Sequence, residues 1–384
     1  MRLAYVVPRY GPQILGGAET LARTTVQHLV QCGHYVEVWT TCAQNPYTQV
    51  NEYPAGVEQH NGITVRRFPA QIHRRFNPWV EPFTRENQYL WVDSLLHSPQ
   101  LYDYIADHND AFDYLVFIPY VAGTTYYGAH ICPQKSIVWT CMHDEWPAYL
   151  APTRELLSDV AGIILNSQAE KEFLEKTLRV RYPDRMVAGT GVDVVPGDAA
   201  AFRQAYPHVP EQFFVYAGRL DEGKNVHELL RYYSEYRSRH DPHPELVLLG
   251  EGPLGEEEHP GVIRLGFVDE STKRNALAAC TFLCQPSLAE SFSIVLLEAW
   301  VQRRPVLVRE NCAVTLGHVR ESQGGLYFAN YGDFEGAVEY LLTHPDQASQ
   351  MGVNGYLYVA RNYNWQVIVD RVEQALLNWS EPAR

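Results

Sequence analysis

Short apolar runs alternate with amphipathic stretches along the whole chain. Leu3 to Val7 is apolar throughout, and a turn containing Gly11, Gly16 and Gly17 follows it. Ala18, Leu21, Ala22, Val26, Leu29 and Val30 then recur at the spacing of one helix face. Gly33 suits a helix C-terminus, and Tyr35 to Thr40 reads as the next strand. Strand, glycine turn, helix, strand is a βαβ unit, which implies a parallel sheet covered on both faces. Ile63 to Phe68, Tyr114 to Ile118, Ser136 to Thr140 and Gly162 to Leu165 continue the strand series. Gln88 to Leu96 and Ser167 to Leu178 read as helices.

The rhythm breaks into glycine, proline and valine between Gly189 and Gly197, then restarts at Phe213 to Ala217. Leu246 to Leu249, Val262 to Leu265, Thr281 to Gln285 and Pro305 to Val308 are further strands. Helical patterns at Val226 to Tyr236, Thr272 to Ala279 and Ile294 to Val301 lie between them. The tail is helical over Asp333 to Leu342, Pro345 to Arg361 and Trp365 to Trp379. The pattern therefore predicts an α/β chain of two doubly wound, Rossmann-like domains, 1–190 and 191–364. Ligands in such sheets sit beyond the strand C-termini, here also between the domains. A length of 384 residues agrees, because one core seldom grows that large.

Composition narrows the function. Against 31 Lys and Arg stand 45 Asp and Glu, a net charge of −14, which argues against a nucleic-acid partner. Seven scattered cysteines suit a reducing compartment better than a disulfide framework. The opening apolar stretch is too short for a signal peptide, and no run is long enough to span a membrane. A cytoplasmic protein is expected, with peripheral contact at the inner membrane face as a further reading.

Four segments carry candidate chemistry. Gly11 to Glu19 joins the first strand to the first helix, where small residues and free N–H groups let a phosphate approach. A plain βα turn reads equally well. Arg219 and Lys224 project from a second strand-to-helix loop, as a fork and a point charge that would neutralise a diphosphate. Alone they read as solvated charges; a candidate phosphate turn in the other domain shifts that weight. In the stretch Pro286 to Trp300, Glu290 lies in a loop, Ser291 is placed to cap the following helix, and Glu298 falls among apolar neighbours. Gly250 to Gly255 fits the dinucleotide-loop spacing, but Glu256, Glu257, Glu258 and Pro260 follow it, which opposes an anion and a helix there.

The Glu290-x7-Glu298 stretch resembles the paired-glutamate motif of retaining glycosyltransferases of family 4, which have the GT-B fold. The likeness covers nearly the whole chain. It includes Gly16-Gly17-Ala18-Glu19, Asn166-Ser167, Gly191-Val192-Asp193, the Gly218 to Lys224 loop, Leu249 to Pro253 and Leu265 to Val268, in the family's order. The resemblance implies that Glu298 holds a ribose and Glu290 contacts the transferred sugar. It implies that Arg219 and Lys224 bind the diphosphate, aided by Gly16, Gly17, Ser291, Phe292 and Ser293. His143 would lie near the sugar's far hydroxyl, and the last helix, 365–384, would return to the first domain. Three departures stand out: Ser293 and Asn225 replace usual glycines, and Arg303-Arg304-Pro305 replaces a glycine-containing turn.

The expected reaction is hexose transfer from a UDP- or GDP-sugar to an acceptor hydroxyl, with retention and front-face attack. No DxD-like cluster or His/Cys ligand spacing is seen, so no metal and no cofactor beyond the nucleotide sugar is expected. A GT-B phosphorylase, an epimerase, or a non-catalytic sugar-binding protein are the alternatives. The acceptor would be a glycan or lipid-linked glycan. Arg66, Arg67, Arg74, Arg75 and Arg85, interleaved with Phe68, Phe76, Trp79 and Phe83, suggest a docking face for an anionic lipid across 66–85, though an ordinary surface loop reads as well.

Overall fold

The structure, a computed structural model, describes residues 1–14, 16–45, 48–71, 84–180, 184–255 and 259–380. The chain divides into two compact units, Met1–Thr190 with Ile368–Arg384, and Gly191–Val367. The division falls inside the helix Trp365–Ser380.

The first unit is built on eight strands: β1 (Arg2–Val7), β2 (Tyr35–Thr41), β3 (Gly56–His60), β4 (Ile63–Phe68), β5 (Tyr114–Phe117), β6 (Ser136–Trp139), β7 (Gly162–Leu165) and β8 (Asp184–Val187). Their order is β3-β4-β2-β1-β5-β6-β7-β8, parallel except for the β3–β4 pair. Alternate residues of β1 face opposite ways. Leu3, Tyr5 and Val7 meet Leu21, Val26 and Leu29 of the helix Gly17–Gln31, together with Val369, Val372 and Leu376 of the last helix. Ala4 and Val6 join Leu101, Ile105 and Leu156 on the other face. Burial on both faces is why the strand reads as one unbroken apolar run. Gly33, at φ +88°, ends the helix Gly17–Gln31: its N–H donates to Val30 O at 3.0 Å, and His34 N–H reaches Leu29 O at 3.1 Å.

Strand β3 has no apolar pattern because it is an exposed edge. Its signal lies in the turn instead. Asn61 and Gly62, at φ 50° and 81°, form the left-handed pair that closes a tight hairpin onto β4.

The second unit holds β9 (Phe213–Ala217), β10 (Glu245–Leu249), β11 (Val262–Gly266), β12 (Leu283–Gln285), β13 (Val306–Arg309) and β14 (Gly325–Phe328). Every pair is parallel, in the order β11-β10-β9-β12-β13-β14. Phe213, Val215 and Ala217 face one core, Phe214 and Tyr216 the other. The strand order reverses between β9 and β12, which leaves a crevice beyond their C-terminal ends, the usual ligand position in such sheets.

Candidate functional site

The loops leaving β9 and β12 bring three predicted residues, Arg219, Lys224 and Glu290, to that switch point. Lys224 Nζ lies 2.8 Å from Glu290 Oε1, and Gln285, the last residue of β12, donates to the same oxygen at 3.2 Å. Arg219 Nη1 is 3.3 Å from Asp221 Oδ2, and its side chain is 67% exposed. Asp221 also accepts the Lys224 backbone N–H at 2.9 Å, and Tyr216 holds the Arg219 carbonyl at 2.7 Å. Two cations therefore stand at one end of the sheet, each paired to a carboxylate, Lys224 largely buried and Arg219 largely open to water.

The helix that follows begins at Ile294, and its N-cap is Ser293, without a side-chain cap bond. The expected cap at Ser291 is not made. Ser293 instead has φ 67°, a left-handed backbone that positions the turn after Phe292. Asn225 and Arg303 share that conformation at φ 57° and 55°. All three departures from glycine thus keep the backbone that glycine adopts most freely. Asn225 is stabilised there by its side-chain amide, which donates to Pro286 O at 3.1 Å and Glu228 Oε2 at 2.7 Å.

Glu298 is half-buried on the helix Ile294–Val301, where Lys273 Nζ donates to its Oε1 at 2.8 Å. The same ammonium lies 2.9 Å from Glu270. One cation serves two carboxylates, so Glu298 is undercompensated: burial raises its pKa, and Lys273 offsets that only in part. The Lys273 pKa is raised despite burial, because Glu298 and Glu270 both favour its charge.

Gly250 and Gly252 serve close packing. A Cβ on Gly250 would sit 1.9 Å from Gly218 O, and one on Gly252 2.3 Å from Leu220 O. Backbone bonds zip the two loops, Gly218 N–H to Leu249 O and Leu220 N–H to Glu251 O, each at 2.9 Å. These glycines hold the Arg219 loop in place.

In the first unit, Gly16 is the N-cap of the helix Gly17–Gln31. A Cβ on Gly16 would meet the Glu19 carboxylate, which pairs with Arg9. His143 follows β6 and lies 3.4 Å from Glu145 Oε1, which Tyr120 also reaches at 2.7 Å. Nearby, buried Glu170 accepts from Thr140 Oγ1 at 2.6 Å and from the N–H groups of Met142 and Asn166, both at 2.5 Å. Burial pushes its pKa up to about 7 against those four-sided hydrogen bonds, Ser167 included. Sequence reasoning passed over Glu170 and Gln285. Ser167-x-x-Glu170 is a capping-box spacing, and a polar residue ending the apolar strand β12 was the signal for the other.

The three described arginines of the arginine-rich segment are each paired to a carboxylate. Arg66 is bound to Glu37 at 2.7 Å, and buried Arg67 to Glu58 at 2.7 Å and Tyr10 O at 2.8 Å. Arg85 pairs with Glu155 at 3.2 Å. Arg74, Arg75, Phe76, Trp79 and Phe83 lie outside the described residues. All seven cysteines are free. Among the described residues no group of three His, Cys, Asp or Glu is placed to hold a metal, and no helix is long and apolar enough to cross a membrane.

Residues 211–344 match the family described as Glycosyl transferases group 1. An uncharacterised glycosyltransferase of Methanocaldococcus jannaschii is 25% identical over 340 residues, 80% of either chain. The phosphatidyl-myo-inositol mannosyltransferase of Mycolicibacterium smegmatis is 25% identical over 313 residues, 78% of this chain and 73% of that protein. Anabaena HepE, solved in complex with UDP-glucose, matches with a TM-score of 0.72 at 17% identity, over 98% of this chain and all (100%) of that one. The fold is the GT-B arrangement of two parallel-sheet α/β domains shared by such neighbours. The family match and the relatives support a glycosyltransferase of group 1 type.

Proposed function

We propose that the protein transfers a hexose from a UDP- or GDP-sugar to an acceptor hydroxyl, in the cytoplasm, with retention of configuration and without a metal. The observation that carries this reading is the set of Arg219, Lys224 and Glu290 at the switch point of the second sheet. In this reading the glycosidic bond breaks as negative charge gathers on the diphosphate. Arg219 and Lys224 stabilise that charge, with N–H groups of Ser291, Phe292 and Ser293 beside them. Glu290 accepts hydroxyls of the sugar and holds its ring. Glu298 accepts the ribose hydroxyls, and its undercompensated charge makes it a good acceptor. By the resemblance to family 4 enzymes, Gly16 and Gly17 would offer N–H groups to the phosphates, and His143 would serve the sugar's far hydroxyl. The leaving phosphate oxygen takes the acceptor proton on the face it departs from. The UDP-glucose complex of HepE supports a uridine donor.

The test is a panel of UDP-, GDP- and ADP-sugars with and without EDTA, reading free nucleotide and product anomer. Turnover that survives EDTA and retains configuration is expected. Binding without turnover would point to a sugar-binding protein, and inversion would remove the front-face mechanism.

A further inference from the structure

Strand β12 is apolar until its last residue. Leu283 and Cys284 are fully buried, and Gln285, only 3% exposed, follows them where the loop to Glu290 begins. A primary amide there brings two donors and an acceptor into the interior. Its Nε2 donates to Glu290 Oε1 at 3.2 Å and lies 3.5 Å from Ser293 Oγ. Its Oε1 is buried, and among the described residues nothing donates to it. Turning the amide over would only set that oxygen against the Glu290 carboxylate. A buried acceptor without a donor is a standing cost to the fold, which an apolar side chain of the same length would avoid. The amide is therefore explained by Glu290, not by the core it is embedded in.

Glu290 is held by two donors of different kinds. Lys224 Nζ lies 2.8 Å from the same Oε1 that takes the Gln285 amide. Among the described residues, Oε2 accepts no hydrogen bond. The carboxylate is thus anchored by one oxygen and keeps the other for a ligand's donor. The two anchors would respond differently to a diphosphate. Lys224 is a point charge on the loop leaving β9, and an anion beside it competes with Glu290 for the ammonium. Gln285 is neutral and grows from the strand itself, so an anion has little claim on it. When the ammonium turns to phosphate oxygens, the amide is the hold that remains.

We infer that Gln285 is a positioning residue for the transferred sugar: its amide keeps Glu290 in place, with Oε2 free for the sugar's hydroxyls, while Lys224 turns to the diphosphate. The inference adds a residue that the transferase reading does not use, and it rests on that reading for the roles of Glu290 and Lys224. The amide should matter most as the glycosidic bond breaks, because the charge on the diphosphate, and its claim on Lys224, are then greatest.

The experiment compares the full chain with Gln285→Met, which keeps the length of the side chain and loses its N–H, and with Gln285→Leu. Nucleotide released from UDP-glucose, GDP-mannose and ADP-glucose gives kcat and KM. Calorimetric titration gives the affinity for UDP, GDP and ADP, and urea midpoints report folding. Both variants should keep about the wild-type midpoint, because the donor bond lost and the orphaned acceptor removed offset each other. Their kcat should fall about tenfold or more, the scale of one lost hydrogen bond to a charged group. Donor KM should change by less than about threefold, as for an interaction made chiefly in the transition state, and nucleotide affinity should not change. The inference is overturned if kcat holds in both variants, or if the midpoint falls while kcat and KM stay, which would make the amide purely structural. It is also overturned if nucleotide affinity falls as far as kcat, which would put Gln285 with the diphosphate and not the sugar. A wild type that turns over none of the three donors sinks the transferase reading, and Gln285 falls with it. Turnover by the wild type beside equal turnover by the variants sinks Gln285 alone.

Discussion

Lys224 Nζ rests 2.8 Å from Glu290 Oε1, although 66 positions separate the two residues and each comes from a different strand end. The contact joins a cation suited to a diphosphate to a carboxylate suited to a sugar. Without a donor, each neutralises the other. The Glu290 side chain is only 9% exposed, and that ammonium and the Gln285 amide both donate to its Oε1.

Lys224→Ala should therefore have two separable effects. Stability should fall by about 3 kcal/mol, because a buried carboxylate loses its partner. Turnover should fall by about a hundredfold or more, through lost stabilisation of the leaving diphosphate. Lys224→Ala combined with Glu290→Gln should regain most of the stability and none of the turnover. Denaturation midpoints and nucleotide release measure the two effects. A double variant that recovered turnover would make Lys224 a purely structural residue.

Glu298→Gln tests the ribose assignment. A neutral amide accepts less strongly than a carboxylate, and the change also leaves Lys273 with Glu270 alone. Nucleotide affinity should drop about tenfold or more, the size of a lost hydrogen bond to a charged group. Calorimetric titration with UDP and GDP reads it. Equal affinity in the two proteins would take Glu298 out of the site.

The second sheet was legible because burial on both faces writes itself into the sequence: Phe213 to Ala217 has no polar residue. The edge strand β3 was not, since four of its five residues face water and only Asn61-Gly62 marks it. At the site, the residue types and their loops could be read, but their partners could not. Lys273 reaches Glu298 because the helices Glu270–Ala279 and Ile294–Val301 pack together, a relation no local spacing encodes. The left-handed backbone at Ser293 and Arg303 was hidden for a related reason, because neither residue type advertises it.

Arg303 and Asn225 should respond oppositely to glycine. Arg303 ends the helix Ile294–Val301, with Arg303 N–H on Trp300 O at 2.8 Å and Arg304 N–H on Ala299 O at 3.0 Å. Arg303→Gly relieves a left-handed backbone costing about 1 kcal/mol and loses a stacking of Arg303 over Tyr356 worth about half that. A small net stabilisation should result. Asn225→Gly relieves the same conformation but strips the bonds to Pro286 O and Glu228, so it should destabilise by about 1 kcal/mol. Urea midpoints of the two variants against the wild type decide it, and a shift in the same direction for both would remove the side-chain explanation.

His318 should set an acid limit on the second unit. Its ring lies edge-on to Phe292, 5.0 Å between centroids, beneath the loop that carries Glu290. Its Nδ1 is 3.0 Å from the Tyr358 hydroxyl, which in turn donates to Glu321 at 2.9 Å. Burial pushes the imidazole pKa down to about 4, with the Phe292 backbone opposing in part. The folded pKa lies below the unfolded one, so the folded state keeps the ring neutral. That stability is complete above the unfolded pKa near 6.5 and drains away as pH falls through the window down to about 4. At about pH 5 the loss should be about 2 kcal/mol. His318→Phe keeps an aromatic ring against Phe292 and has no proton to gain. Between about pH 7.5 and 5 the wild type should therefore lose about 2 kcal/mol more than His318→Phe, measured by urea unfolding at each pH. Parallel pH profiles for the two proteins would mean that the ring is charged, or absent from the acid transition, in the folded chain.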